Sequence, residues 1–79
     1  MKHLKPRLLG DPKEAGQWWN FDGRTFWSCP KCGQAAELTT HKINEEGLVH
    51  PSVVCGCGFH EYVAFEEVAP EVVNDNWGG

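Results

Sequence analysis

The sequence predicts a small all-β domain held together by its cysteines, and three observations lead to this prediction. The chain has 79 residues, enough for one domain with a small hydrophobic core. Its apolar residues fall into short runs rich in β-branched and aromatic side chains, separated by Gly, Pro and Asn, and no long helical period is evident. Its four cysteines form two close pairs, and a core this small needs disulfides or a metal to support it.

The first 16 residues predict an extended arm. Pro6, Gly10, Pro12 and Gly16 interrupt any helical pattern, and the charges between them are scattered. We expect this arm to be mobile unless it docks on another part of the molecule.

An aromatic β-hairpin is predicted next, because two aromatic runs flank the pair Asp22-Gly23. If these two residues form a type I′ turn, Trp18 pairs with Trp27 and Trp19 pairs with Phe26. Strand alternation then places the first pair on one face and the second pair on the other. One of the two faces is expected to belong to the core.

Three further strands are predicted beyond the hairpin, over residues 35–43, 48–54 and 59–65. Asn44 to Gly47 is read as a turn, and Pro51 should lie at an edge or bulge of the second strand, because proline has no N–H to donate. Residues 67–79 form an acidic tail that we expect to be disordered or loosely docked. The predicted organisation is therefore an arm (1–16), a hairpin with the cysteine region (17–66) and a tail (67–79).

The cysteine pairs have the spacing of metal ligands. Cys29-Pro-Lys-Cys32-Gly puts two thiolates on one tight turn, a zinc knuckle, and Cys55-Gly-Cys57-Gly offers a second pair after an excursion of two strands. Together they predict one structural Zn²⁺ with four sulfur ligands in a zinc ribbon, with two knuckles and a three-stranded antiparallel sheet. The second pair is one residue shorter than the usual C-x-x-C, so Cys55 and Cys57 would form a distorted knuckle.

Other interpretations of these residues remain open. The first pair could be a redox dithiol, although such motifs usually open a helix, and any zinc-thiolate centre can lose its metal on oxidation. His41, His50 or His60 could replace one cysteine as a ligand. Because a site with four protein thiolates is closed, we do not expect an enzyme.

Net charge disfavours binding to nucleic acid through phosphates. The formal net charge is −4, and sequence-independent phosphate binding needs clustered Lys and Arg. Six of the seven basic residues lie at or before Lys31, whereas eight of the eleven acidic residues follow it, which predicts a modest basic face opposite an acidic one. No segment has the length and hydropathy of a signal peptide or a membrane span, so we expect a protein of a reducing cell interior without a membrane partner.

Part of the sequence resembles a known group. The residues His41-Lys-Ile43, Gly47, Val49, Pro51 to Cys55 and Cys57 to His60, with the first knuckle, resemble small uncharacterised zinc-ribbon proteins of bacteria and bacteriophages. The resemblance covers less than half of the chain. It implies the same four-cysteine ribbon and a cytoplasm, host cytoplasm or virion as the setting, and it carries no assigned activity.

Tryptophan content suggests a role in recognition. Four tryptophans are many for this length, and tryptophan is enriched at binding hot spots, so Trp18, Trp27 and Trp77 are candidates for contact with a protein partner. The competing interpretation is that Trp18, Trp19 and Trp27 supply the core. The function predicted first is a zinc-stabilised protein-interaction module that serves as a small subunit of a larger phage or bacterial assembly. The alternative is a nucleic-acid-associated ribbon of a transcription or replication complex.

Overall fold

The computed structural model describes residues 1–8 and 10–73, and it confirms the all-β class. In this part of the chain there are nine short strands and one turn of 3₁₀ helix. The strands are β1 (Lys2–Pro6), β2 (Gln17–Phe21), β3 (Arg24–Ser28), β4 (Ala35–Glu37), β5 (Lys42–Ile43), β6 (Val49–His50), β7 (Val53–Val54), β8 (His60–Glu61) and β9 (Val63–Phe65). The 3₁₀ helix spans Pro70–Val72.

Five strands form a mixed sheet in the order β4-β3-β2-β1-β9. Strand β1 lies inside this sheet and is parallel to both β2 and β9. The segment predicted as an arm is thus extended, and its residues 2–6 are docked in the sheet, which is the condition under which mobility was not expected. Leu4 explains the docking, because its side chain is fully buried in the core.

The aromatic hairpin is confirmed in its register. Trp18 pairs with Trp27 and Trp19 pairs with Phe26, as the two-residue turn requires. Asp22 and Gly23 have φ values of 55° and 75°, the left-handed conformation that a type I′ turn needs at both central positions. A local turn signal therefore predicted the pairing of eight residues.

The rest of the sheet structure differs from the predicted three-stranded ribbon. Residues 35–43 and 48–54 are each divided between two short strands, giving the two-stranded sheets β5-β6 and β7-β8. The break between β6 and β7 falls at Pro51, where proline cannot donate to a ladder. The break between β4 and β5 follows Leu38. The N–H of Leu38 donates to Thr25 O at 2.8 Å and ends the β3-β4 ladder.

The core lies between one face of the five-stranded sheet and the two small sheets. The sheet contributes Leu4, Trp18, Trp27, Val63 and Phe65, and the other side contributes Ile43, Val49, Val53, Phe59 and Val72. Val72 is 4% exposed, so the tail is docked at least as far as the 3₁₀ helix. We call the sheet face toward this core the inner face, and the opposite face, which carries Trp19, the outer face.

Two of the tryptophans predicted to contact a partner belong to this core. Trp18 stacks on Phe65 with 4.8 Å between ring centroids, and its indole Nε1 donates to Glu66 O at 3.0 Å. Trp27 packs against Phe59. With 5% and 3% of their surfaces exposed, Trp18 and Trp27 are corrected from partner-binding to core residues. Trp77 lies outside the described residues.

Candidate metal centre

The first knuckle begins where β3 ends. Cys29 N donates to Gln34 O at 2.9 Å, and Gly33 N donates back to Cys29 O at 2.8 Å. Gly33 has a φ of 81°, a left-handed conformation that glycine adopts without steric cost. Lys31 N lies 3.3 Å from Cys29 Sγ and donates to it, so the turn presents an amide to a sulfur.

The second knuckle joins β7 to β8 and repeats this arrangement with one residue fewer. Cys55 N donates to Phe59 O at 2.8 Å, and Gly58 N donates to Cys55 O at 3.0 Å. These bonds correspond to the two bonds of the first knuckle, each closing a loop that is one residue shorter. The missing residue of the C-x-C pair is therefore accommodated within the turn, without disturbing its two ends.

The knuckles bring all four sulfurs together. Cys29 Sγ lies 3.6 Å from Cys57 Sγ, Cys32 Sγ lies 3.5 Å from Cys55 Sγ, and every pair lies within 4.8 Å. In a tetrahedral site with Zn–S bonds of about 2.3 Å, sulfurs are about 3.8 Å apart. The distances of 3.6 and 3.5 Å each join one knuckle to the other, so this cluster can hold a metal ion between the knuckles.

One side of the cluster is part of the core and the other faces solvent. Cys29 is completely buried, Cys55 is half-buried, and Cys32 and Cys57 are exposed. Cys29 packs with the buried hydrophobic residues, and Cys55 lies at their edge. A metal bound here would connect the surface turns directly to the core.

The Cys32 thiol holds its proton more tightly than an ordinary cysteine, because its pKa is raised. The backbone amide of Gln34 lowers the pKa of the Cys32 thiol, but hydrogen bonds with the other three cysteines and desolvation outweigh it and raise the pKa to about 12. A bound dication replaces the protons of these hydrogen bonds between sulfurs with direct bonds to thiolate. Metal binding must therefore release protons, and it strengthens as pH rises.

The histidines considered as alternative ligands have other partners. His60 Nε2 lies 2.9 Å from Ser52 Oγ, and His41 Nε2 lies 3.1 Å from Ser52 O. The ring of His50 stacks on Tyr62, with 5.9 Å between centroids. Within residues 1–8 and 10–73, the potential ligands that meet at one point are the four cysteines.

Sequence reasoning missed the part that Gln34 plays beside this centre. Its carbonyl closes the first knuckle, and its side-chain Oε1 lies 3.9 Å from Cys55 Sγ on the second. The sequence signal for this role was the position of Gln34 directly after Gly33, where the chain leaves the knuckle and enters β4.

Comparison with known proteins identifies no relative of this chain. No family model matches the chain, and neither a curated protein nor a solved structure matches it significantly. The resemblance to bacterial and phage ribbons receives no support from these comparisons. Among the described residues, no helix has the length and apolar character needed to cross a membrane.

Proposed function

We propose that this chain is a protein-interaction module whose fold is stabilised by one structural Zn²⁺ bound to Cys29, Cys32, Cys55 and Cys57. The observation that carries the proposal is the meeting of four sulfurs, contributed by two knuckles, within 4.8 Å. Four-sulfur tetrahedral sites are characteristic of structural zinc, although iron also binds such sites. The setting proposed for the module is a larger bacterial or phage assembly.

The support for a structural role comes from the length of the elements around the site. Strands β5 to β8 have two residues each, and two-stranded sheets of this size are not stable alone. Structural zinc contributes roughly 10 to 16 kcal/mol of apparent binding free energy in small peptides, which is as large as the stability of many whole domains. The metal thus allows the surface to be used for recognition.

No catalytic role is proposed for the metal. Zinc catalysis needs a coordination position for water or substrate, and four protein thiolates fill the tetrahedron. With Trp18 and Trp27 in the core, recognition is assigned to exposed apolar side chains such as Phe21 and Tyr62, of which 54% and 45% are exposed.

The test is native mass spectrometry of the purified full chain, with metal identity determined by elemental analysis. We expect one zinc per chain in the wild type, and loss or strong weakening of binding in Cys57→Ala. His60→Ala is the matched control, because His60 lies three residues from Cys57 yet bonds Ser52, and it should retain the metal. Zinc retained with full affinity in Cys57→Ala, or a metal-free wild type that is folded, would contradict the proposal.

A further inference from the structure

Strand β4 is an open edge of the five-stranded sheet. Within the described part of the chain, it pairs with β3 alone. All three of its residues are exposed, whereas the strand at the opposite edge, β9, is also bridged by Leu48 and packs against β6. An unprotected strand edge presents main-chain donors and acceptors that another extended segment can bind.

The register shows which groups are available. Cys29 N bonds Gln34 O and Leu38 N bonds Thr25 O, so Gln34, Ala36 and Leu38 are the residues of this segment that face β3. By alternation, the N–H and C=O groups of Ala35 and Glu37 point away from the sheet. The small side chains of Ala35 and Ala36 leave the approach to these groups open.

A shallow depression lies beside this edge on the outer face. It has a volume of about 320 Å³ and is lined by Lys13, Trp19, Phe21, Phe26, Ala35, Ala36 and Glu37. Trp19 and Phe26 form its floor as a stacked pair with centroids 5.8 Å apart. Because residues from β4 line both the depression and the edge, a strand paired with β4 would place alternate side chains on the outer face, at the side of the depression nearest Phe26.

The charges around the depression are mainly positive, unlike those of the whole chain. Arg7 Cζ lies 5.0 Å from the centroid of the Trp19 ring and Lys13 Nζ lies 6.0 Å from it. At the other end Arg24, with a side chain 66% exposed, lies 3.9 Å from the carboxylate of Glu37. Arg7, Lys13 and Arg24 thus lie near the aromatic floor, and Glu37 is the acidic residue in the lining of the depression, which favours an acidic ligand.

We propose that an extended, acidic peptide segment of a partner protein adds to the sheet at β4 and places one apolar side chain across Ala35 against the β4 side of the depression, toward Phe26. Main-chain bonds to Ala35 and Glu37 hold the segment, and Arg7, Lys13 and Arg24 select its acidic flanks. This inference rests on the proposed function as an interaction module, and it specifies the surface and the kind of partner.

The experiment titrates the zinc-loaded full chain with the acetylated, amidated peptide Glu-Asp-Val-Leu-Val-Glu-Asp, followed by ¹H–¹⁵N NMR and fluorescence anisotropy. We expect the largest shifts at the amides of Ala35 and Glu37 and at the indole N–H of Trp19. Replacing the four acidic residues of the peptide by lysine should weaken binding at least tenfold, as should replacing its leucine by serine.

Two matched pairs of variants test the backbone and charge contributions separately. Glu37→Pro removes an outward N–H and leaves the bonds to β3 intact, whereas Glu37→Gln removes the charge alone, so only the first should weaken binding tenfold or more. Lys13→Glu should also weaken binding tenfold, and Lys42→Glu, on β5, should leave it unchanged. Because Lys13 is exposed, Lys13→Glu is expected to fold. It therefore still tests the inference if Glu37→Pro fails to fold.

The alternative outcomes each overturn the inference. Equal binding by Glu37→Pro and Glu37→Gln, shifts confined to another surface, or no binding of the peptide would exclude β4 as the docking edge. Shifts at the same residues on raising protein concentration, with a doubled mass in sedimentation, would identify a second copy as the occupant. The same shifts with a single-stranded oligonucleotide, lost on adding salt, would identify a nucleic-acid surface. The metal measurement described above is independent of these results, so failure of the metal-stabilised module is distinguishable from failure of this surface.

Discussion

The hairpin half and the ribbon half of this molecule are stabilised in different ways. Strands β2 and β3 have five residues each, a turn with the preferred residues and aromatic cross-strand pairs on both faces. Strands β5 to β8 have two residues each and depend on the cysteine cluster and the shared core. The local sequence thus supports the hairpin, whereas the ribbon half relies on contacts between segments distant in the chain, among them the four cysteines that could hold a metal ion.

Removal of the metal should have the largest effect. Chelation of the zinc-loaded protein is expected to unfold the ribbon half together with the shared core, because the roughly 10 to 16 kcal/mol of metal binding exceeds the stability that a core of this size supplies. Circular dichroism and amide hydrogen exchange measure the change. Protection should be lost throughout β5 to β8, with residual structure confined to the β2-β3 turn. A ribbon half that keeps its protection without metal would contradict the distinction between the halves.

Gly47→Ala should destabilise the zinc-loaded protein by about 2 to 4 kcal/mol, because two costs combine there. Gly47 has a φ of 86°, and a Cβ at this position would collide with the backbone carbonyl of Phe65. Its own carbonyl accepts a bond from Phe65 N at 2.7 Å, so the two backbones cannot separate freely. Urea denaturation gives the free energy of unfolding.

Gly23→Ala is the control for this substitution in the hairpin half. Gly23 has a similar φ of 75°, but a Cβ there would meet nothing within 4 Å, so only the conformational cost of about 1 kcal/mol applies. Equal losses for the two variants would show that the close approach to Phe65 contributes nothing.

The next largest difference is expected between substitutions on the two faces of the hairpin, measured as the loss of stability. Trp18→Phe should cost about 1 to 3 kcal/mol, because it leaves Glu66 O without its indole donor and opens space beside Phe65. Trp19→Phe, on the outer face beneath Arg7, should cost less than about 1.5 kcal/mol. Thermal unfolding of both zinc-loaded variants measures the order, and the reverse order would show that the outer face supports the fold more than the core does.

The smallest effect is expected at the open edge of the sheet. Glu37→Gln should change the free energy of unfolding by less than about 0.5 kcal/mol, because its contact with Arg24 is exposed and 3.9 Å long. Chemical denaturation at low and high salt checks this value. A larger, salt-dependent loss would mean that Glu37 stabilises β4, and the variant could then no longer serve as a neutral control for peptide binding.

Prediction from sequence succeeded where the signal was local. The Asp22-Gly23 turn determines the register of its two strands, and the residues around Cys29 and Cys32 encode a turn closed by its own amides. The same reasoning left two interpretations of Trp18 and Trp27 open, as partner-binding candidates or as core residues. Alternation placed them on one face of the hairpin, but no local pattern showed that β9 would bring Phe65 against Trp18.

The sequence by itself determined the all-β class, the hairpin register and the two cysteine turns, since these depend on contacts between residues that are close along the chain. Tertiary structure alone decided that Leu4 anchors an inner strand, that β4 is left as an open edge and that the shortened second knuckle reaches the first. The strands that pair with β1 at its two sides come from opposite ends of the chain. Such pairings are selected by burial of a shared core, which is a property of the assembled fold and not of any segment.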